Sequence, residues 1–297
     1  MDIKLISEKK IGMVILNYND AKTVENLWNK IHSYKVIDHM IIVDNLSPDD
    51  SYSRLKKLVT SKVDVIQTDH NGGYSYGNNF GACFLINKYQ PDILFIANPD
   101  VQFSEEFLIQ IVHDMIKEKA QAACGYMALP KDSLPIRLNP QINSFWDEAL
   151  SCTYLVKKIF PHRGKFIKQG TGIQKVEWIP GSLFAIEANV YNELGGLDER
   201  VFLYYEEQIL GKKFLDHGYK MIVDTNISYF HNHVFSINHS SKNLAQVKQS
   251  FKSKYFFYTQ YEHIGFFKRA LLKGLIVYGL FSRKLLYKIR EIKRNFG

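Results

Sequence analysis

From Ile11 to about Tyr126 the chain alternates short apolar runs with longer polar, helix-patterned stretches. That alternation predicts an α/β fold, a largely parallel sheet with helices on both faces. Gly12-Met13-Val14-Ile15-Leu16 reads as a first strand ending at Asn17-Tyr18-Asn19, and Asp20 stands as N-cap of a helix turning Val24, Leu27, Trp28 and Ile31 to one face. A second strand, His39-Met40-Ile41-Ile42-Val43, closes on Asp44-Asn45-Leu46-Ser47. Val63 to Ile66 reads as a third, and Ile93-Leu94-Phe95-Ile96-Ala97 as a fourth that closes on Asn98-Pro99-Asp100. Polar residues thus gather at the same end of four successive strands. Asn, Asp, Ser and Pro collect in any strand-to-helix loop, but this edge is also where open α/β sheets bind ligands.

Between the third and fourth strands lies Asn71-Gly72-Gly73-Tyr74-Ser75-Tyr76-Gly77-Asn78-Asn79-Phe80-Gly81, a turn rich in glycine and carboxamide that opens a helix. Unpaired N–H groups and the positive dipole end at such a start can receive a diphosphate. Asn98-Pro99-Asp100 ends a strand with a carboxylate; it is equally a helix-start signal, with Asp100 or Ser104 as cap. Further on, Trp178-Ile179-Pro180-Gly181-Ser182 turns into a buried strand, either walling an acceptor pocket or packing the core. Glu206 and Glu207 follow Tyr204-Tyr205 at the start of a helix. Adjacent carboxylates there can simply complement the dipole, or supply a general base. His231-Asn232-His233 places two histidines where they can share a metal, although one buried and one solvated ring is the more frequent outcome.

The chain has 297 residues, 46% of them hydrophobic, enough for a core with an appendage. We expect a catalytic domain over residues 1–240, with halves at about 1–127 and 128–240, and a basic helical extension over 241–297. Cys83, Cys124 and Cys152 are too scattered for a disulfide framework or a zinc site and suit a reducing compartment. With no signal-like N-terminus, and no apolar run near the ~18 residues of a membrane span, a cytoplasmic location is expected. The net charge of +8 is concentrated after Glu262, where Lys and Arg interleave with Phe, Leu and Ile. One or two amphipathic helices of this kind can lie on anionic lipid, pack on the catalytic domain or form a homodimer. No nucleic-acid reading motif accompanies the charge.

Taken together, Val14-Ile15-Leu16-Asn17-Tyr18-Asn19, Val43-Asp44-Asn45-Leu46-Ser47, the Asn71 to Gly81 turn, Asn98-Pro99-Asp100, Gly195-Gly196-Leu197-Asp198-Glu199 and Phe202-Leu203-Tyr204-Tyr205-Glu206-Glu207 resemble the inverting family 2 glycosyltransferases of the GT-A fold, particularly the rhamnosyltransferase-like branch. The likeness runs from about Ile11 to His231 and on to Tyr261. It implies transfer of a sugar from a nucleotide diphosphate donor, dTDP-rhamnose or a UDP-hexose, to a lipid-linked saccharide acceptor at the inner membrane leaflet. By that resemblance Asp44 accepts from the nucleobase imide, Asn17 and Asn19 line the nucleotide pocket, and Asn71, Gly73 and Asn79 hold ribose and diphosphate. Asp100 is then the carboxylate of an Asp-x-Asp motif for Mg²⁺ or Mn²⁺, whose first position is Asn98 here. A His near position 231 completes the metal or diphosphate site, and His231 fits that spacing better than His233. Glu207 stands where relatives carry the base, with Glu206 beside it as orienter; which of the two is the base stays open. Two positions later, relatives have another Asp and this chain has Ile209. Asn98 and Ile209 are what a non-transferring nucleotide-sugar-binding or membrane scaffold protein would display. The span 128–176 lies at a variable insertion of the kind that sets specificity.

Overall fold

The computed structural model describes residues 8–128, 139–153, 166–232 and 244–296, with side chains to 289. They fall within two compact units, the first drawing on Met1–Gln141, Phe166–Phe202 and Glu206–His233, the second on Ile142–Lys165, Leu203–Tyr205 and Val234–Gly297.

In the first unit the predicted strands form β1 (Ile11–Asn17), β2 (His39–Asp44), β3 (Val63–Gln67) and β4 (Ile93–Ala97). They lie parallel in the order β3-β2-β1-β4. Side chains alternate across each strand, and both faces are buried. Met13, Ile15 and Phe95 enter one core cluster, whereas Val14, Leu94 and Ile96 enter another. The first is covered by helix α1 (Ala21–Ile31) through Val24, Leu27 and Ile31. Each fully buried Leu or Ile side chain contributes on the order of 1.5–3 kcal/mol. Asp20 caps α1 as predicted, accepting from the Thr23 N–H at 3.3 Å. The opposite cluster receives Ala82 and Leu85 of helix α2 (Gly73–Tyr89), which starts in the glycine-rich turn.

Beyond β4 the sheet stops being parallel. Strand β5 (Val101–Gln102) leads to helix α3 (Glu105–Glu118), capped by Ser104, which accepts from the Phe107 N–H at 3.2 Å. Asp100 is therefore not spent on capping. After β6 (Ala122–Ala128) and β7 (Ile173–Val176), strand β8 (Leu183–Glu187) pairs antiparallel with β4, placing Leu183 opposite Ala97. It arrives through the Trp178–Ser182 turn, from the end where β4 finishes, so it must run the other way. Helix α4 (Ala188–Glu193), helix α5 (Glu206–His217) and strand β9 (Met221–His231) follow. β9 runs parallel to β6 and antiparallel to β5 and β7. The result is a mixed α/β sheet of GT-A type whose parallel half is the part read from periodicity.

The second unit contains helices α6 (Phe145–Ser151), α7 (Leu244–Gln260) and α8 (Phe266–Phe296). At its centre the buried Lys254 ammonium lies 2.7 Å from Glu148 Oε2 and donates to Ser151 Oγ at 2.7 Å. Asn143 Nδ2 and the Tyr205 hydroxyl also donate to the Glu148 carboxylate. Burial alone would raise the Glu148 carboxyl, but the Lys254 charge and these hydrogen bonds hold it below the usual range. Among the described residues no helix is long and apolar enough to cross a membrane.

One buried polar pair has no counterpart in the sequence pattern. Asp114 of α3 and Asp224 of β9 are both buried, and Asp114 Oδ1 accepts from Gln110 Nε2 at 2.8 Å with His113 Nδ1 nearby. Burial, and then the neighbouring Asp224, push the Asp114 carboxyl up. The folded chain thus binds this proton more tightly than the unfolded chain. Its contribution is present at low pH and is lost as pH rises from the ordinary carboxylate range through the raised value. Asp114→Asn, which retains an acceptor for Gln110 and gains a donor toward Asp224, should raise the melting temperature at neutral pH and flatten its pH dependence. Thermal unfolding across an acid-to-neutral series checks this; an unchanged or lowered melting temperature at neutral pH would count against it.

Candidate active site

The parallel register of β1 on β2 sets Asn17 beside Asp44. Asn17 Nδ2 and the Ser47 hydroxyl both donate to Asp44 Oδ1, at 2.7 and 2.6 Å. The Ser47 N–H and Gln67 Nε2 donate to Oδ2 at 3.0 and 2.9 Å. Asp44 is 0% exposed, and a carboxylate so far from water requires such partners. Of the three residues that hold it, only Gln67 is not buried. Gln67 went unnoticed in the sequence because it ends β3 among ordinary strand residues. Asn19 is exposed, has a positive φ of 57°, and donates its N–H to Ser47 Oγ at 2.8 Å.

The start of α2 is less open than its composition suggests. Asn71 Oδ1 accepts from the Gly73 N–H at 3.1 Å and from Asn45 Nδ2 at 3.0 Å. The Tyr74 N–H donates to the Phe202 carbonyl at 3.0 Å. Two N–H groups that the dipole reasoning offered to a diphosphate are thus bonded within the chain. Gly73 has φ +88°, and a Cβ there would overlap the Phe202 carbonyl oxygen, so close backbone approach dictates the glycine. Asn79 is likewise engaged. Its Nδ2 donates to the Leu197 carbonyl and Glu199 Oε1, both at 2.8 Å, while its Oδ1 accepts from the Tyr191 hydroxyl at 2.6 Å and the Leu197 N–H at 2.9 Å. Two donors and two acceptor positions exhaust a carboxamide. In this structure Asn79 clamps the Gly195-to-Glu199 loop.

At the end of β4 the Asn98 N–H donates to the Ser182 carbonyl at 2.8 Å, extending the β4–β8 pairing past the last strand residues. Asp100 is carried next to His231 because β5 pairs antiparallel with β9, and Asp100 Oδ1 lies 3.1 Å from His231 Nε2. His233 lies outside the described residues. Among the described residues no group of three or more His, Cys, Asp or Glu side chains could hold a metal. Asp100 and His231 offer two donors, and a divalent ion that takes its remaining ligands from substrate phosphates and water fits such a partial set.

Glu207 is partly buried and receives the Gly181 N–H at 3.4 Å on Oε1. Gly181 is fixed from its other side by the Tyr74 hydroxyl, which donates to its carbonyl. The next residue, Ser182, shares a 2.7 Å hydrogen bond with the Tyr229 hydroxyl. A continuous path therefore joins Asn98, Ser182, Gly181 and Glu207. Glu206 is buried, and its Oε2 has no hydrogen-bond partner. Burial raises both carboxyls, Glu206 further because the Glu207 charge adds to it. The pair as a whole retains a proton more readily than two exposed glutamates. The turn at Gly181 and Ser182 was legible as a candidate pocket wall, whereas Tyr74 and Tyr229 escaped sequence reasoning because they meet it only in the tertiary structure. Ile209 is wholly buried and faces the core, so this position makes no polar contact.

A polar strand edge, a paired Asp and His and two adjacent glutamates thus stand together on a mixed GT-A-type sheet. The chain belongs to glycosyl transferase family 2, whose family model matches residues 13–178. It is similar to the low-salt glycan biosynthesis hexosyltransferase Agl10 of Haloferax volcanii, with 22% identity over 198 residues, 66% of this chain and 59% of that protein. The chain thus spans less than two thirds of that relative's length. Among solved structures it is similar to the mannosyltransferase PcManGT from Pyrobaculum calidifontis in complex with GDP-Man and Mn²⁺, with TM-score 0.57 and 12% identity over 90% of this chain and 69% of that one. It is also similar to GalNAc-T7 with UDP, GalNAc and Mn²⁺, with TM-score 0.62 and 12% identity over 95% of this chain and 57% of that one. At these identities the likeness is one of fold.

The Asn79 clamp separates scaffold from ligand contact. Asn79→Ala should lower stability by about 2–4 kcal/mol, because it leaves several buried groups without partners. Chemical denaturation measures this; a variant of undiminished stability with impaired nucleotide binding would return Asn79 to the ligand side.

Proposed function

We propose that the protein is an inverting hexosyltransferase of the rhamnosyltransferase-like kind. It moves a sugar from dTDP-rhamnose or a UDP-hexose to a lipid-linked saccharide in bacterial surface polysaccharide synthesis, working in the cytoplasm at the inner face of the plasma membrane. The observation that carries the reading is the path from Asn98 through Ser182 and Gly181 to Glu207, which ties a leaving-group edge to a buried carboxylate. The glycan hexosyltransferase relative supports the reaction class, and the nucleotide-sugar and Mn²⁺ complexes of similarly folded transferases support the donor class and the metal.

In this scheme the acceptor hydroxyl attacks the anomeric carbon from the face opposite the diphosphate. The new C–O bond forms as the bond to the diphosphate oxygen breaks, and the hydroxyl proton passes to Glu207. Glu207 suits the role because burial makes its carboxylate more basic than an exposed one. Glu206 acts beside it, holding the shared proton and leaving Glu207 ionised. Asp100 and His231 would hold Mg²⁺ or Mn²⁺, which when bound neutralises charge on the departing diphosphate. Asn98 borders that position, and Asn71 and Gly73 shape the turn beside it. Asp44 would take the nucleobase imide where its bond from Gln67 can yield, with Asn17 and Asn19 alongside.

Glu207→Gln should lower kcat by about 10²–10⁴-fold while donor affinity measured by calorimetry stays close to wild type. The wild-type acid limb should fall at a pH above the ordinary glutamate range, because activity requires Glu207 deprotonated and burial raises its pKa. Asp100→Ala should abolish transfer with the fold intact by circular dichroism. Retained turnover in Glu207→Gln, or full activity of Asp100→Ala, would overturn these roles. Donor binding without any turnover by the wild type would favour a nucleotide-sugar-binding protein that has lost transfer, the alternative that Asn98 and Ile209 suggest.

A further inference from the structure

Helix α8 presents one long apolar face that is exposed among the described residues. Phe267, Leu271, Tyr278, Phe281, Leu285 and Ile289 recur at steps of three, four or seven residues, which puts them on one side of the helix. They are 85%, 42%, 49%, 66%, 50% and 42% exposed. The opposite side is packed within the second unit: Leu272 is 0% exposed, Gly279 lies against the Cys152 carbonyl, and Arg283 donates to that carbonyl at 2.9 Å. A continuous exposed stripe of large apolar side chains marks an interaction surface rather than scattered surface hydrophobics.

Charge identifies the occupant. Between Glu262 and Glu291 there is no acidic residue, whereas Lys268, Arg269, Lys273, Arg283, Lys284, Lys288 and Arg290 all fall in that interval. Lys273, Lys284 and Lys288 are exposed along one margin of the stripe. A second copy of the chain would bring the same lysines to the same seam, and like charges at an interface are costly. An anionic bilayer instead offers hydrocarbon to the stripe and opposite charge to its margin. The described helix is not apolar enough to cross a membrane, so contact with a bilayer would be interfacial.

We infer that this face of α8 docks the protein on an anionic lipid bilayer, with Phe267, Phe281 and their neighbours entering the headgroup boundary and Lys273, Lys284 and Lys288 at the phosphates. None of these residues is among those of the proposed transfer site.

The test uses the full chain and vesicles of phosphatidylcholine with or without phosphatidylglycerol, scored by co-sedimentation at low and high salt. Wild type should bind the anionic vesicles and release in salt. Phe267→Asp with Phe281→Asp, and separately Lys273→Glu with Lys284→Glu and Lys288→Glu, should each weaken binding by about tenfold or more. These residues are exposed, so thermal unfolding should remain at the wild-type temperature; if the aspartate variant does unfold, the charge-reversal variant carries the test. Absence of wild-type binding, or wild-type affinity in both variants, overturns the inference. So does a wild-type dimer in sedimentation velocity that Phe267→Asp with Phe281→Asp dissociates without vesicle binding, since the face would then join two copies. The assay needs neither donor nor acceptor, so its failure leaves the transfer reaction standing, and failed transfer leaves the docking standing.

Discussion

The antiparallel pairing of β8 on β4 is the constraint on which the candidate site depends. Hydrogen bonding continues beyond the last strand residues through the Asn98 N–H and the Ser182 carbonyl, so the turn preceding β8 is fixed against the residues following β4. That turn carries Gly181, whose N–H meets Glu207, while the segment after β4 carries Asp100. A side chain argued to take a proton and one argued to face a leaving group are thereby referenced to the same two strands. Sheets position such groups more rigidly than free loops do.

Around this pairing, buried polar groups serve as struts. Asp44 is held by Asn17, Ser47 and Gln67, Asn71 binds Gly73 and Asn45, and Asn79 exhausts its hydrogen-bonding capacity on the Gly195-to-Glu199 loop. Each satisfies donors or acceptors that would otherwise be costly to bury. Glu206 differs, because one of its buried oxygens has no partner. A carboxyl in that position favours its neutral form, because burial and the neighbouring Glu207 both raise it. Asymmetry between two adjacent glutamates thus arises from their surroundings rather than their chemistry.

The second unit follows a different rule. Lys254 and Glu148 form a buried ion pair whose remaining hydrogen-bonding positions are taken up by Ser151, Tyr205 and Asn143. Such a pair tolerates burial only because its geometry is this complete. Within the same unit Tyr204 and Tyr205 hold positive φ values of 70° and 73°, which bulky residues adopt only when their surroundings impose it. In that conformation the Tyr205 hydroxyl donates to Glu148.

The sequence by itself determined the four parallel strands, the Asp20 cap, the strand-end position of Asn98 and Asp100, and the helix beginning at Glu206. These follow from local periodicity and capping chemistry, which act over a few residues. The tertiary structure decided what those residues touch. Pairing of β5 with β9 brought His231 to Asp100 across 131 positions of chain. The approach of Phe202 explained Gly73, and the Tyr191 and Leu197 contacts took up Asn79, although composition alone suggested a phosphate turn. The switch to antiparallel pairing beyond β4 was equally illegible, because an apolar run records its burial but not its direction. Hydrophobic patterning specifies which side chains leave water, whereas partners distant in sequence are chosen by register and close packing.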